Sequence, residues 1–437
     1  VAKFLIVSAL GEASGVGIRL RAEGHEVLFY IHESQEKDVM DGFLEKVDDW
    51  RKHVEEADLV FFDDCDQKHP GESAYKSSAW SMEVREKYPG KLVIGGGHPD
   101  VARLENDRTF ANDVMQQMGI ETVPMERFTD FNSARKFLQE NGGAWAMKHN
   151  SQVDRDAAHV SKDPEDMLDW IEYLEKNWKE LGNNQPVDFV LQQTVDGIEF
   201  AVTAFYDGQR FRNEATYLNQ EEKKLMDGGL GPNTGQTAEI GYVAQNSRLF
   251  QTVLKPMEPF LADKQYVGFL DVNCIVNAEH AIPLEFTARP GYPTLYSWCN
   301  LLAEPVGTWM LRMAQADPAP IQMKNAVNCT LVLASGSFPN QHPTRNKLIV
   351  VHGLDKVGLQ NVWLCEVRWV DGEVMGAGDM GYLAVITQDG PSIPEAVRKA
   401  YSTIEQISVT PYEIYRMDIG QRALREFNYL WQWGWLD

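Results

Sequence analysis

Apolar runs punctuate the first hundred residues at regular intervals, separated by stretches of helical periodicity. KFLIVSAL (3–10), HEVLFYI (25–31), DLVFFDD (58–64) and KLVIGGG (91–97) read as strands. A turn containing Gly11, Gly15 and Gly17 follows the first run, and a helix-like stretch then ends at Gly24. This β-turn-α-β succession is the building unit of an open parallel sheet, and it predicts a small doubly wound domain over residues 1–103. The three glycines do not have the dinucleotide-binding spacing, so they read as an ordinary strand-to-helix turn.

From 104 to about 185 the pattern changes to helix (105–118), short strand, helix (131–140), strand WAMKHN (145–150), a polar loop and a charged helix (164–180). The stretches DFVLQQTV (188–195), EFAVTAFYD (199–207) and RFRNEATYL (210–218) then alternate as an antiparallel sheet. A Gly-rich loop (228–236) and a helix (245–262) lead into two further strands, GFLDVNCIV (268–276) and AIPLEFTAR (281–289). The remaining residues are mixed, with strands near 327–334 and 380–387 and a helix at 391–407. ADPAPI (316–321) is the expected hinge before that last module, and no internal repeat is seen.

Composition narrows the class. A chain of 437 residues suits two to four domains. A net charge of −23 argues against a nucleic-acid backbone or an anionic membrane as partner, since both need a basic surface. One cleft can still be locally basic and take a phosphorylated small molecule. The cysteines, Cys65, Cys274, Cys299, Cys329 and Cys365, are odd in number and widely spaced, which reads as free thiols in a reducing compartment. No signal-like stretch opens the sequence and no apolar run approaches the roughly 18 residues of a membrane span, so a cytoplasmic protein is expected.

Candidate chemistry concentrates in four places. In GGLGPNTGQ (228–236), glycines permit backbone amides to face an anion, and Asn233 and Thr234 add side-chain donors; the plain alternative is a hairpin turn. Asp271 and Asn273, two apart on a strand, share a face that Glu285 on the next strand can join. Hard oxygens so placed suit Mg²⁺ on nucleotide phosphates, the alternative being an ion pair, for instance between Glu285 and Arg289. Lys148 ends an apolar strand, and LQQTVDGIEF (191–200) reads as strand, turn and strand; neither demands a ligand alone.

Taken in order, these segments resemble phosphoribosylamine–glycine ligase, a family of the ATP-grasp superfamily. LENDRTFANDVMQQMGIETVP (104–124), GPNTG (231–235) with Lys223, Lys224 and Asp227, YVGFLDVNCIV (266–276), PLEFTARPGYPT (283–294), LVLASGSFP (331–339) and YRMDIGQRAL (415–424) carry the likeness along nearly the whole chain. The resemblance implies an α/β (α+β) ATP-grasp fold. Its N-terminal doubly wound parallel-sheet domain would span 1–103, the ATP-grasp domain 104–322 with a lid at about 120–187, and a C-terminal mixed α/β domain 323–437. It implies that Arg108 and Lys148 contact ATP phosphates, that Gln192, Gln193, Thr194 and Val195 form the hinge that reads adenine, and that Glu199 holds the ribose. Asn233 and Thr234 would complete the nucleotide site. Glu285, with Asn273 and Asp271, would bind Mg²⁺ (or Mn²⁺ in its place), and Arg289 would sit beside the reacting carboxylate.

The implied activity is an ADP-forming ligation of purine biosynthesis. ATP phosphorylates a carboxylate such as glycine, and an amine, phosphoribosylamine in the family, displaces phosphate from the acyl phosphate. No enzyme nucleophile is required, so the lack of a Ser/His or Cys/His pattern is no objection. The protein would be a monomer or homodimer acting on small molecules. Several segments depart from the family. Its Gly-Gly-Arg-Glu-His-Ala turn, which helps hold phosphoribosylamine, is SALGEASGVG (8–17) here. Its Gly-rich, Lys-bearing phosphate loop is HNSQVDRDAAHV (149–160), where Arg155 or His159 could stand in. The Asn after the metal-binding Glu is Thr287, and the acid after Arg-x-Gly is Tyr292. Two alternatives therefore accompany the family reaction: the same mechanism with a different amine or amino acid, and a non-catalytic nucleotide-binding relative.

Overall fold

The computed structural model describes residues 1–64, 76–150, 158–181, 186–336 and 338–437. Its N-terminal region alternates strands and helices: β1 (Lys3–Ser8), α1 (Ser14–Ala22), β2 (Glu26–Ile31), β3 (Glu45–Lys46), β4 (Leu59–Phe62), α2 (Lys76–Lys87) and β5 (Leu92–Ile94). The strands form a parallel sheet in the order β3-β2-β1-β4-β5. Both faces of β1 are buried, as helix-covered parallel sheets require. Phe4 and Ile6 enter the main core, whereas Leu5 and Val7 pack with Trp50, Val60 and Val84 on the other side.

Two helices follow, α3 (Pro99–Asn106) and α4 (Arg108–Gln117), where the pattern predicts one helix at 105–118. Asp107 breaks the run: its backbone is extended, and its carboxylate caps α4 by accepting the Phe110 amide at 3.1 Å. Apolar periodicity continues across such a cap, so the pattern alone does not reveal the break.

The segment that follows contains β6 (Met125–Phe128), α5 (Phe131–Asn141), β7 (Trp145–His149), β8 (His159–Val160), α6 (Pro164–Leu181) and β9 (Phe189–Gln193). Its four strands form a small antiparallel sheet, β6-β9-β7-β8, over a separate core that includes Phe131, Trp145, Ile171 and Phe189. DFVLQQTV thus belongs here and not with EFAVTAFYD, because alternation fixes a strand's faces but not its sheet. The chain crosses to the next sheet at Asp196-Gly197. A Cβ on Gly197 would lie 2.6 Å from the Val276 carbonyl, so the close passage requires glycine.

The large sheet begins with β10 (Ile198–Tyr206), β11 (Thr216–Met226), β12 (Leu230–Ala244), β13 (Gly268–Val276), β14 (Ala281–Thr287) and β15 (Val327–Ala334). The C-terminal residues add β16 (Val350–His352), β17 (Val362–Leu364), β18 (Val367–Val370), β19 (Glu373–Gly376), β20 (Tyr382–Gly390) and β21 (Ser408–Thr410). Eight of these form one sheet, β14-β13-β10-β11-β12-β15-β20-β17, and the others a four-stranded sheet, β18-β19-β16-β21. Strand β15 pairs with β12, Gly241 opposite Asn328, so the large sheet runs unbroken into the C-terminal third. The connector ADPAPI is tied down, with Asp317 held by Arg312 at 2.8 Å and its carbonyl by Arg212 at 2.7 Å.

Three boundaries differ from the pattern. Strand β11 starts at Thr216, not Arg210, because the fully buried Arg212 bonds Glu214 and the Asp317 carbonyl in a turn. The helix expected at 245–262 is split into Arg248–Val253 and Glu258–Leu261 at Pro256, which has no amide to continue the ladder. The predicted loop 228–236 is mostly strand: only Asp227–Gly229 turn, and β12 begins at Leu230. Cys274, Cys299, Cys329 and Cys365 are buried free thiols, and Cys65 lies outside the described residues. Among the described residues, no helix is long and apolar enough to cross a membrane.

Candidate active site

The pleat of the large sheet puts polar side chains of five strands on one face. Pairing aligns Thr203 with Asp271 and Tyr217, Ala201 with Asn273 and Asn219, and Glu221 with Glu239. Asn273 in turn lies opposite Glu285 on β14. Since side chains alternate faces, all of these partners project to the same side.

Toward the β12 side this face is closed by the helix Thr294–Leu301. Glu239, fully buried, accepts hydrogen bonds from Tyr217 (3.0 Å), Asn219 (2.8 Å), Gln236 (2.5 Å) and Thr294 (2.9 Å). Burial raises its pKa, though hydrogen bonds from Ser297, Gln236, Thr294 and Tyr217 partly offset the effect. Sequence reasoning gave Glu239 no role; the signal available was an acid in the apolar alternation of TAEIGYV.

Toward β14 the face is open and charged. Lys223 Nζ lies 2.9 Å from Glu199, 3.3 Å from Glu285 and 3.6 Å from Glu221. Arg108, the first residue of α4, places both terminal nitrogens 3.1 Å from Glu285 Oε2 and donates from Nε to the His149 carbonyl at 2.9 Å. Arg108 thereby joins the small sheet, where Lys148 sits on β7, to the large one. The Glu285–Arg289 ion pair considered from sequence does not form: Glu285 pairs with Arg108 and Lys223, and Arg289 lies 3.3 Å from Glu105 and 3.6 Å from Asp64.

Burial alone would raise the Glu285 pKa, but Lys223, Arg108 and Lys148 together hold it well below the usual carboxylate range. Burial opposes the charge on Lys223 too, yet Glu199, Glu285 and Glu221 outweigh it and raise that pKa. Lys148 is shifted down to about 8, first by burial and then by the nearby Arg108. Asp271, buried and beside Glu221, is raised, and it accepts a 2.6 Å hydrogen bond from Thr203. Asn273 donates to Glu221 at 2.8 Å while its buried Oδ1 has no hydrogen-bond partner.

Gln192 is buried on β9, opposite Ala146, and lines a pocket with Leu104, Arg108, Met115 and Glu285. The Gln193 amide donates to the Pro124 carbonyl at 2.9 Å, and the Thr194 amide to that of Ala144 at 3.1 Å; Val195 follows on the way to Gly197. Thr234 donates to the Lys223 carbonyl at 2.8 Å, and exposed Asn233 pairs with Lys224 across the hairpin. Gly228, Gly229 and Gly231 all have positive φ, which the turn requires. This hairpin is gripped from the C-terminal motif: Asp418 accepts the Gly228 amide and Asp227 that of Met417, both at 2.8 Å. Arg416 spans Glu222 (3.1 Å) and Asp418 (2.8 Å). The C-terminal segment 415–424 therefore holds the β11 arm and the turn of the hairpin whose other arm carries 231–235. Of the substitutes considered for the phosphate loop, Arg155 lies outside the described residues, and His159 is on β8, 3.3 Å from Asp166.

A small sheet and a large sheet, with charged side chains meeting between them, define the ATP-grasp fold, and residues 106–294 match the family model for the phosphoribosylglycinamide synthetase ATP-grasp (A) domain. The chain aligns over 95% of its length with crystal structures of phosphoribosylamine–glycine ligase from Thermotoga maritima (TM-score 0.70, 20% identity, 99% of that chain) and of the 2-oxoglutarate carboxylase biotin carboxylase domain from Hydrogenobacter thermophilus, solved with magnesium ADP (0.60, 14%, 91%). By sequence, the Listeria innocua phosphoribosylamine–glycine ligase is 22% identical over 75% of this chain and 78% of its own length. A bifunctional purine biosynthetic protein of Pichia angusta is 25% identical over 77% of this chain, but the match spans only 43% of that longer protein. The resemblance to phosphoribosylamine–glycine ligase is borne out, and with it the α/β ATP-grasp fold class.

Proposed function

We propose that the protein is an ADP-forming carboxylate–amine ligase of the phosphoribosylamine–glycine ligase type, working through an acyl phosphate. Glycine and phosphoribosylamine, the substrates in the relatives' name, are the first pair to test. The observation that carries the reading is the convergence of Lys148, Arg108 and Lys223 on Glu285 and Glu199 between the two sheets. Three cations near an ionised carboxylate suit a polyphosphate bound with a metal ion.

In this reading residues 104–322 are the ATP-binding domain, their small sheet at about 120–187 is the lid, and residues 1–103 and 323–437 flank it. Lys148 and Arg108 hold phosphate oxygens and offset charge developing on the transferred group. The segment Gln192–Val195 lies beside adenine, with Glu199 at the ribose. Arg289 orients the carboxylate that takes the phosphoryl group, and the hairpin carrying Asn233 and Thr234 excludes water that would hydrolyse the acyl phosphate.

Glu285 and Asn273, opposite one another, fit a divalent cation, and Asp271, two positions from Asn273 on the same face, would join them on losing the proton that burial favours. All are oxygen donors on adjacent strands, Glu285 is held ionised, and the Asn273 carbonyl oxygen is buried without a donor. Mg²⁺ bound there would neutralise phosphate charge during transfer. The deciding experiment is ADP release with Mg²⁺-ATP, glycine and fresh phosphoribosylamine, each omitted in turn. Turnover that needs all three establishes the family reaction; turnover with another amine leaves the mechanism and changes the acceptor; no turnover with any acid and amine removes the ligase reading.

A further inference from the structure

Strand β14 carries Glu285 and ends at Thr287, whose pairing with Asp271 is the last of the β13–β14 ladder. Arg289 lies two positions beyond it. A chain leaving a sheet loses the hydrogen bonds that fixed it, so its buried amides and carbonyls need other partners. Ala288 is buried and finds both in side chains. Its amide donates to Glu105 Oε2 at 2.9 Å. Its carbonyl is reached at 3.1 Å by the Tyr266 hydroxyl, which also meets the Phe269 carbonyl.

Glu105, buried near the end of α3, does more than replace the ladder. Its other oxygen, Oε1, lies 3.3 Å from a terminal nitrogen of Arg289. One carboxylate thus grips a main-chain amide and the guanidinium of the next residue. The Pro290 carbonyl accepts from the other terminal nitrogen at 3.0 Å, and Asp64 stands 3.6 Å from Nε. A long side chain with several rotatable bonds is thereby confined at three points. The same turn holds Glu285 from its far end. Asp107 separates α3 from α4, and Arg108, the residue after it, places both terminal nitrogens 3.1 Å from Glu285. Glu105 and Arg108 therefore grip β14 and its continuation at two points, with the order along the chain reversed: Arg108 at Glu285, Glu105 at Ala288 and Arg289.

Resting on the ligase reading, we infer that Glu105 is a positioning residue for phosphoryl transfer: it fixes Arg289, and through it the acid substrate, at a set distance from Glu285. In that step a carboxylate oxygen attacks the γ-phosphorus of ATP and an O–P bond forms. The bond from that phosphorus to the β–γ bridging oxygen breaks, and ADP leaves with the electron pair. No proton moves, so the protein contributes alignment and charge, and alignment is lost steeply with distance. A brace that merely joined α3 to β14 would need the Ala288 amide alone. The contact with the Arg289 guanidinium is what ties Glu105 to the acid.

Two measurements test the role: hydroxamate formation from Mg²⁺-ATP, hydroxylamine and a panel of amino acids beginning with glycine, and the ATP dissociation constant by calorimetry. Hydroxylamine traps the acyl phosphate whatever the natural amine is. Glu105→Gln keeps an oxygen for the Ala288 amide and removes the charge that faces Arg289. It is expected to lower kcat/KM for the acid at least about tenfold, while ATP binding stays within about threefold of wild type. Glu105→Ala also leaves the amide without its acceptor, and should lower the same ratio at least about 100-fold. If that variant does not fold, the Gln variant decides alone. An unchanged kcat/KM for the acid in the Gln variant, or an equal loss for ATP and acid, overturns the inference. The ligase reading then stands, because the wild-type protein still forms hydroxamate. No hydroxamate from any acid with the wild-type protein removes the ligase reading, and the positioning role falls with it.

Discussion

Lys223 Nζ and Glu199 Oε1 lie 2.9 Å apart, on the adjacent strands β11 and β10, and the same ammonium reaches Glu285 at 3.3 Å. One cation thus holds together two carboxylates to which the proposed function gives different duties, the ribose and the metal. Removing it leaves Glu199, Glu221 and Glu285 facing one another. Lys223→Met is expected to destabilise the protein by about 1–3 kcal/mol, less than the roughly 3–5 kcal/mol of a fully buried pair because the site is partly open to solvent. Millimolar Mg²⁺ should recover part of that loss if the carboxylates bind it. Urea midpoints with and without Mg²⁺ check this, and no Mg²⁺ effect would count against the metal site.

Glu285→Ala removes the ion partner of both Arg108 and Lys223. ADP release is expected to fall at least about 100-fold, with the circular dichroism spectrum unchanged. Retained turnover would exclude Glu285 as a metal ligand.

The pKa of Lys148, lowered to about 8, gives a pH signature. A lysine is charged below its pKa, so phosphate binding through Lys148 is present at neutral pH and lost as pH rises past about 8. Between pH 7 and 9 the ATP dissociation constant should rise about tenfold, the fraction of ammonium that a single titration removes. Lys148→Met should bind ATP weakly and show a flat profile over that range. A sloping profile in the variant would assign the titration to another group.

Asp418 holds the Gly228 amide and, through Arg416, the Glu222 carboxylate. Asp418→Ala should loosen the hairpin tip, raising amide exchange across residues 226–232 by about tenfold, equivalent to roughly one charge-assisted hydrogen bond. The KM for ATP should rise more than kcat falls. Unchanged exchange would mean the hairpin is held by its own strand pairing.

Legibility differed between kinds of feature. Period-two alternation located β13 at Gly268–Val276 as predicted and put Asp271 and Asn273 on one face, because the pleat is a local property. It did not show that Phe189–Gln193 and Ile198–Tyr206 belong to different sheets, since both alternate equally well. Glycine and proline in 228–236 suggested a loop, and pairing with β11 made most of it strand. The C-terminal motif was recognised as a resemblance, but its grip on that hairpin through Asp418 and Met417 is a contact across about 190 residues.

The sequence by itself determined strands β1, β2, β4 and β5, strands β13 to β15, helices such as α5 and α6, and the ATP-grasp resemblance, because these rest on short-range periodicity and on residue types at fixed spacing. Only the tertiary structure decided which charges meet. Glu285 faces Arg108 and Lys223 instead of Arg289, and Asp63 caps the turn at Ala13, fifty positions away. Electrostatic partners are set by distance in space and by burial, and neither is encoded in separation along the chain.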